Sequence, residues 1–259
     1  MTLIDTHAHL YDEKFDDDRI DVIARAREAG VAKIISMGDT MAASAQVVQD
    51  AEEHPALYAA VGIHPESACV LTDEMRCQLL TWAQHPKVVA IGEIGLDYYW
   101  EKDASRRALQ RDLFAAQLDL AREAGLPVCI HDREAHGDTL AMLRSEGAGL
   151  TGVLHCYSGS LEMARELWKM GFCIGIDGPL TYKNAAKLPD IVREAPAAKL
   201  LVETDCPYLA PVPLRGKRNE PAYVTHIAAK IAEIRGETIE DVARYTTENA
   251  ERLYPKLNN

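Results

Sequence analysis

Leu3-Ile4-Asp5-Thr6-His7-Ala8-His9-Leu10 opens the chain with two imidazoles two residues apart on a stretch that suits a β-strand. Strand side chains alternate faces with a period of two, so His7 and His9 point the same way. Two imidazoles on one face can hold a single metal ion, because neutral imidazole is the commonest protein ligand for zinc-like metals. A short His-x-His also arises by chance, as the polar start of a first strand. What decides between the two is whether later apolar runs end on metal-ligating residues too.

They do. Val31 to Met37 is closed by Gly38 and Asp39, and the run 57–63 ends at His64-Pro65. Strand four is read at 88–93, ending on Glu93, strand five at 127–131 on His131, and strand six at 152–155 on His155. Strand seven is read at 172–176 and strand eight at 200–205, ending on Asp205. Helical spacing of apolar residues predicts helices at 16–30, to about 53, and at 73–84, 104–124, 138–145, 162–170 and 184–194, with two more after Pro221. Short apolar strands alternating with helices indicate a parallel α/β fold. In an open sheet the ends of strands one, four, five, six and eight could not all converge, whereas in a closed barrel they meet at one mouth. The chain therefore reads as α/β, a single TIM (β/α)8 barrel domain over residues 1–259, close to the ~250 residues that fold usually takes.

Composition narrows the function. The 28 basic and 40 acidic side chains give a formal net charge of −12, which argues against a general duplex-binding protein. A locally positive pocket could still take one nucleic-acid end. No run of ~18 apolar residues suggests a membrane span, and the N-terminus lacks a basic-then-apolar signal pattern; both point to a cytoplasmic protein. The six cysteines form no Cys-x-x-Cys pair and read as reduced, mostly buried thiols. There is no Gly-x-Gly-x-x-Gly, P-loop, Gly-x-Ser-x-Gly or His-Glu-x-x-His, so no nucleotide cofactor, serine-hydrolase or zincin chemistry is expected in its usual form.

The strand-end residues His7, His9, Glu93, His131, His155 and Asp205 carry the chemistry. Any one of them could be a hydrogen-bonded strand end, but six together exceed what one metal needs and suit two divalent ions. Glu93 is the natural bridge, one oxygen to each ion. Two ions ~3.5–4 Å apart can clamp a displacement at phosphorus or a carbonyl, and a bound metal lowers the pKa of its water towards ~7. Asp205 can ligate and also take the proton from that water. The nitrogen-rich set suits zinc, manganese or iron, while magnesium favours oxygen ligands.

The chain also resembles a family. The His-x-His start, Gly92-Glu93-Ile94-Gly95-Leu96-Asp97-Tyr98-Tyr99, Pro127 to Arg133, Leu154 to Gly159, Leu201 to Pro211 and Arg218-Asn219-Glu220-Pro221 are similar to the motifs of TatD-type metal-dependent deoxyribonucleases of the amidohydrolase superfamily. The resemblance spans the whole chain in order. It implies a TIM barrel, a metal centre built from His7, His9, Glu93, His131, His155 and Asp205, and metal-dependent hydrolysis of DNA, often from the 3′ end, with single-stranded DNA or an end as partner. Glu93 stands where many amidohydrolases use a carboxylated lysine, so no carbon dioxide is needed for assembly.

Further residues have weighed roles. His64 should face the mouth, as a phosphate contact or a plain turn histidine. Glu203 should point inward one layer below Asp205 and orient a ligand histidine. Arg133, and the cluster Arg215, Lys217 and Arg218 after strand eight, suit phosphate binding. Tyr98, Tyr99, Trp100 and Tyr157 can stack bases or simply pack. His54, His85, His136 and His226 receive no role. Two rivals stand beside the nuclease: hydrolysis of an ester or amide, such as an aminoacyl-RNA bond, at the same centre, and a non-catalytic partner-binding barrel.

Overall fold

The computed structural model describes residues 1–258, and its eight parallel strands follow one another around a single sheet in chain order. They are β1 Leu3–Ala8, β2 Val31–Met37, β3 Leu57–Val61, β4 Val88–Asp97, β5 Val128–Arg133, β6 Gly152–Leu154, β7 Cys173–Ile176 and β8 Leu200–Val202. Between them run α1 Arg19–Glu28, α2 Met41–Glu53, α3 Asp73–Ala83, α4 Ala104–Ala124, α5 His136–Ser145, α6 Leu161–Lys169 and α7 Leu188–Glu194, and α8 Val224–Arg235 and α9 Ile239–Leu253 follow β8. The helices start where short polar side chains can accept orphan amide protons: Thr40, Thr72, Asp103, Ser160 and Thr238 each do so. Among the described residues no helix is long and apolar enough to cross a membrane.

Strands covered on both faces need apolar residues on both, which is why they read as continuous apolar runs. One face makes the barrel interior, where Ile4, Ile35, Tyr58, Val89, Cys129, Val153, Cys173 and Leu201 pack with Tyr254 and Leu257 of the C-terminal segment. The other face packs under the helices. The seam between β8 and β1 is closed largely by side chains. Asp5 accepts from the Thr204 amide at 2.9 Å and hydroxyl at 2.6 Å, the Thr6 hydroxyl donates to the Val202 carbonyl at 3.1 Å, and the Asp205 amide donates to the His7 carbonyl at 2.9 Å.

Several strand ends depart from the sequence reading. β4 runs on to Asp97, because its ladder with β5 continues through Gly95↔His131, Leu96↔Asp132 and Asp97↔Arg133. β8 stops at Val202, and Asp205 takes a left-handed backbone, φ 56°, that turns its carboxylate across the mouth toward His9. β3 likewise ends at Val61, since the next amides are taken outside the sheet: Ile63 by the Gln117 side chain and His64 by the Asp39 carbonyl. The last helix before β8 is also shorter than expected, beginning at Leu188.

Candidate metal centre

Glu93, 2% exposed, lies among five imidazoles. Its Oε2 stands 3.4 Å from His7 Nε2 and 3.5 Å from His9 Nε2. Its Oε1 stands 2.9 Å from His131 Nδ1, 2.8 Å from His155 Nε2 and 3.5 Å from His64 Nε2. Asp205 Oδ1 approaches the first set from β8, 3.3 Å from His9 Nε2 and 3.7 Å from His7 Nε2. The structure thus brings all six sequence-derived ligands together and divides them by the two oxygens of one carboxylate.

Within each set two ring nitrogens converge on one another, His7 Nε2 and His9 Nε2 at 3.2 Å, and His131 Nδ1 and His155 Nε2 at 3.2 Å. Two imidazole lone pairs repel at that separation unless a proton or a cation lies between them. The fields agree. Burial alone would lower the pKa of His9 and His131, but the carboxylates of Asp205, Glu93 and Asp97 outweigh it and push His9 up to about 9 and His131 up to about 10. Burial would raise Glu93 and Asp205, yet the surrounding imidazoles hold both carboxyls below their ordinary range. A site whose ionised carboxylates draw positive charge onto converging ring nitrogens fits divalent cations, which would take the place of those protons. His7, His9, Asp205 and Glu93 would hold one, and Glu93, His131 and His155 the other.

A family model for the TatD related DNases matches residues 4–255. The chain belongs to the TatD-related DNase family. It is 46% identical to an uncharacterized metal-dependent hydrolase, YabD, of Bacillus subtilis, over 97% of this chain and 98% of that protein. It is 36% identical to a 3′-5′ ssDNA/RNA exonuclease, TatD, of Cronobacter sakazakii, over 98% of each. The crystal structure of the TatD homolog YjjV from Escherichia coli superposes with a TM-score of 0.91 at 34% identity, over 98% of both chains. With this membership and this centre, the chain is a metal-dependent hydrolase.

Around the ligands of this TatD-family chain, the structure sorts the remaining candidates. His64 lies close enough to join Glu93 and His131 as a third ligand group. However, the Glu66 amide donates to its Nδ1 at 3.2 Å, so in the neutral ring the proton sits on Nε2, facing the mouth as a donor. Glu203 is fully buried, and burial and the nearby Asp177 carboxylate raise its pKa well above the ordinary range. Its closest partner is the Cys156 amide at 2.6 Å; His155 Nδ1, 3.7 Å away, is beyond hydrogen-bond distance. Arg133 is exposed, its guanidinium 4.0 Å over the Tyr99 ring, and among the described residues no carboxylate pairs with it.

Arg218 is employed differently from the phosphate contact expected of it. Its guanidinium meets both oxygens of Asp18 at 2.7 Å, Glu220 at 3.0 Å and the Lys14 carbonyl at 2.6 Å. With four contacts spent, it staples the loop after β8 to the segment before α1. The aromatics divide as well. Tyr157 is 3% exposed, and the Tyr98 hydroxyl lies between Asp138 at 2.6 Å and Arg111 at 3.0 Å, so both are packed. Tyr99 and Trp100 are 40% and 62% exposed.

Sequence reasoning missed two carboxylates. Asp97 lies 3.0 Å from His131 Nε2 and went unseen because strand four was expected to end at Glu93. Asp177, directly after β7, is 1% exposed, and among the described residues neither of its oxygens has a hydrogen-bond partner. Its position after an apolar run was the available signal.

Proposed function

We propose that this chain hydrolyses phosphodiester bonds at the 3′ ends of single-stranded nucleic acid, DNA first. The observation that carries the reading is the division of Glu93, one oxygen facing His7 and His9, the other His131 and His155. When bound there, a pair of divalent cations supplies Lewis acidity and brings the pKa of water towards neutrality. Asp205, ionised and at the edge of the first set, accepts the proton of the attacking water. His64 donates its Nε2–H to a phosphate oxygen, and Arg133 supplies a free positive charge beside the mouth.

The exposed pair Tyr99 and Trp100, backed by Arg133, favours single strands, whose unstacked bases can lie on aromatic rings. The Cronobacter relative, named for 3′-5′ activity on single strands, supports the same polarity. Six free thiols suit a reducing cytoplasm. The test is hydrolysis of end-labelled single-stranded DNA by metal-stripped protein resupplied with magnesium, manganese or zinc, with Asp205→Asn alongside. Metal-dependent shortening from the 3′ end, absent in the variant, is expected. No cleavage by protein that binds two ions would refute the nuclease reading and turn attention to ester or amide substrates.

A further inference from the structure

Of the carboxylates around the centre, Asp97 meets a ligand from behind. The β4–β5 ladder continues four residues past Glu93, and that extension carries the fully buried Asp97 to the far side of the His131 ring. Its Oδ2 lies 3.0 Å from Nε2, while Nδ1 on the opposite edge faces Glu93 Oε1 at 2.9 Å. The carboxylate is itself held: Oδ1 accepts the Trp100 amide at 2.8 Å, and the Asp97 amide donates to Gln110 Oε1 at 3.0 Å. Gln110 in turn donates to the Pro65 carbonyl at 3.1 Å. The hold therefore runs from α4 through β4 to one imidazole.

The other rings are held less well. His155 Nδ1 has no hydrogen-bond partner among the described residues, and His7 Nδ1 meets the Cys129 thiol at 3.3 Å. His131 is also the least buried of the four ligand imidazoles, its side chain 15% exposed against 0%, 10% and 4% for His7, His9 and His155. The ring with most freedom to turn is the one given a carboxylate.

We infer that Asp97 is the positioning residue of the second metal position: it accepts the Nε2–H of His131, which keeps the Nδ1 lone pair aimed at the cation shared with Glu93 and His155. This rests on the metal-hydrolase reading above. A carboxylate behind a ligand imidazole fixes its tautomer and orientation, and losing such a partner costs about 10–100-fold in metal affinity. The same carboxylate holds the Trp100 amide, so it also ties the exposed Tyr99–Trp100 pair to the centre.

The test titrates zinc into the metal-stripped full chain against a chromophoric chelator, for wild type, Asp97→Ala, Asp97→Asn, His131→Ala and the double variant Asp97→Ala/His131→Ala. Wild type should bind two ions. Asp97→Ala should keep one at wild-type affinity and bind the second about 10–100-fold more weakly. Asp97→Asn, whose amide oxygen still accepts from Nε2–H, should recover most of that loss. In the His131→Ala background, adding Asp97→Ala should change zinc affinity no further. Thermal unfolding of the metal-free variants checks that each is folded. Asp97→Ala binding both ions as wild type does would overturn the assignment and leave the metal reading intact. So would an undiminished effect of Asp97→Ala in the His131→Ala background. A wild-type chain that binds no zinc would overturn both.

Discussion

Replacing Gly95 by alanine tests the link between the barrel's backbone and its chemistry. A Cβ at this position would stand 2.0 Å from the carbonyl oxygen of His131, and the backbone φ is +142°. Real Cβ contacts essentially never fall below 3.0 Å, so β4 and β5 must part by about 1 Å at this point. The obstacle is backbone, which cannot rotate away. The conformation itself costs an L-residue roughly 1–3 kcal/mol, and the forced separation about as much again. The sum, about 4 kcal/mol, corresponds to a fall in Tm of roughly 10 °C for a chain of this size.

The functional consequence should exceed the loss of stability. Metal ligands tolerate only ~0.2 Å, and the displaced residue is His131, whose Nδ1 meets Glu93. The second ion should be lost or weakened, and turnover should fall about 10²-fold. The assays are calorimetry of metal-free protein, metal content after dialysis, and release of nucleotides from labelled single-stranded DNA. Gly149→Ala is the control, since φ there is +82° but nothing lies within 4 Å of the added carbon. It should cost only about 1–2 kcal/mol and leave activity unchanged. Gly95→Ala protein with wild-type Tm, two ions and full activity would refute the reasoning.

Glu93→Ala removes the oxygens that face both imidazole sets, and should abolish metal retention and lower activity at least ~10³-fold, about 4 kcal/mol in barrier; retained ions in the purified variant would contradict the bridge. Arg218→Ala should leave the Michaelis constant on DNA unchanged and lower Tm by a few degrees at pH 7. Its partner Asp18 is held below the ordinary carboxylate range chiefly by Arg218, and Glu220 is held low by Arg25 and Arg218 against the raising effect of burial. Depressed carboxylate pKa values stabilise above the unfolded value near ~4 and lose that contribution as pH falls through the folded value. The Tm gap should therefore hold from pH 7 to about 4 and narrow only below that, as pH falls through the depressed folded values, and a gap that does not narrow below pH 4 would count against the staple. Asp177 behaves oppositely: burial, then the Asp205 charge, raises it to about 8. A raised carboxyl costs nothing below the unfolded value and progressively more up to about 8. Asp177→Asn should thus raise the Tm of metal-free protein at pH 9 and change little at pH 4; equal effects at both pH values would refute it.

Much of the site is local and was therefore legible. His7 and His9 share a face because strands alternate, and Glu93, His131, His155 and Asp205 each close an apolar run. Runs of that kind, interleaved with helical spacing, specify a parallel barrel whose strand ends meet at one mouth. Residue type and position along a strand are properties of short segments, and the sequence by itself determined these. Which atoms face one another across the mouth is not a local property. The split of Glu93 between two imidazole pairs, the carboxylate of Asp97 behind His131, and the capture of Arg218 by Asp18 all join residues far apart in the chain. They depend on strand register, on how far a ladder continues, and on which partner reaches a charged group first. The extension of β4 to Asp97 shows why: nothing within 88–97 marks its end, because that end is set by pairing with β5. Only the tertiary structure decided it, since hydrogen bonds between strands come from segments the local pattern cannot see.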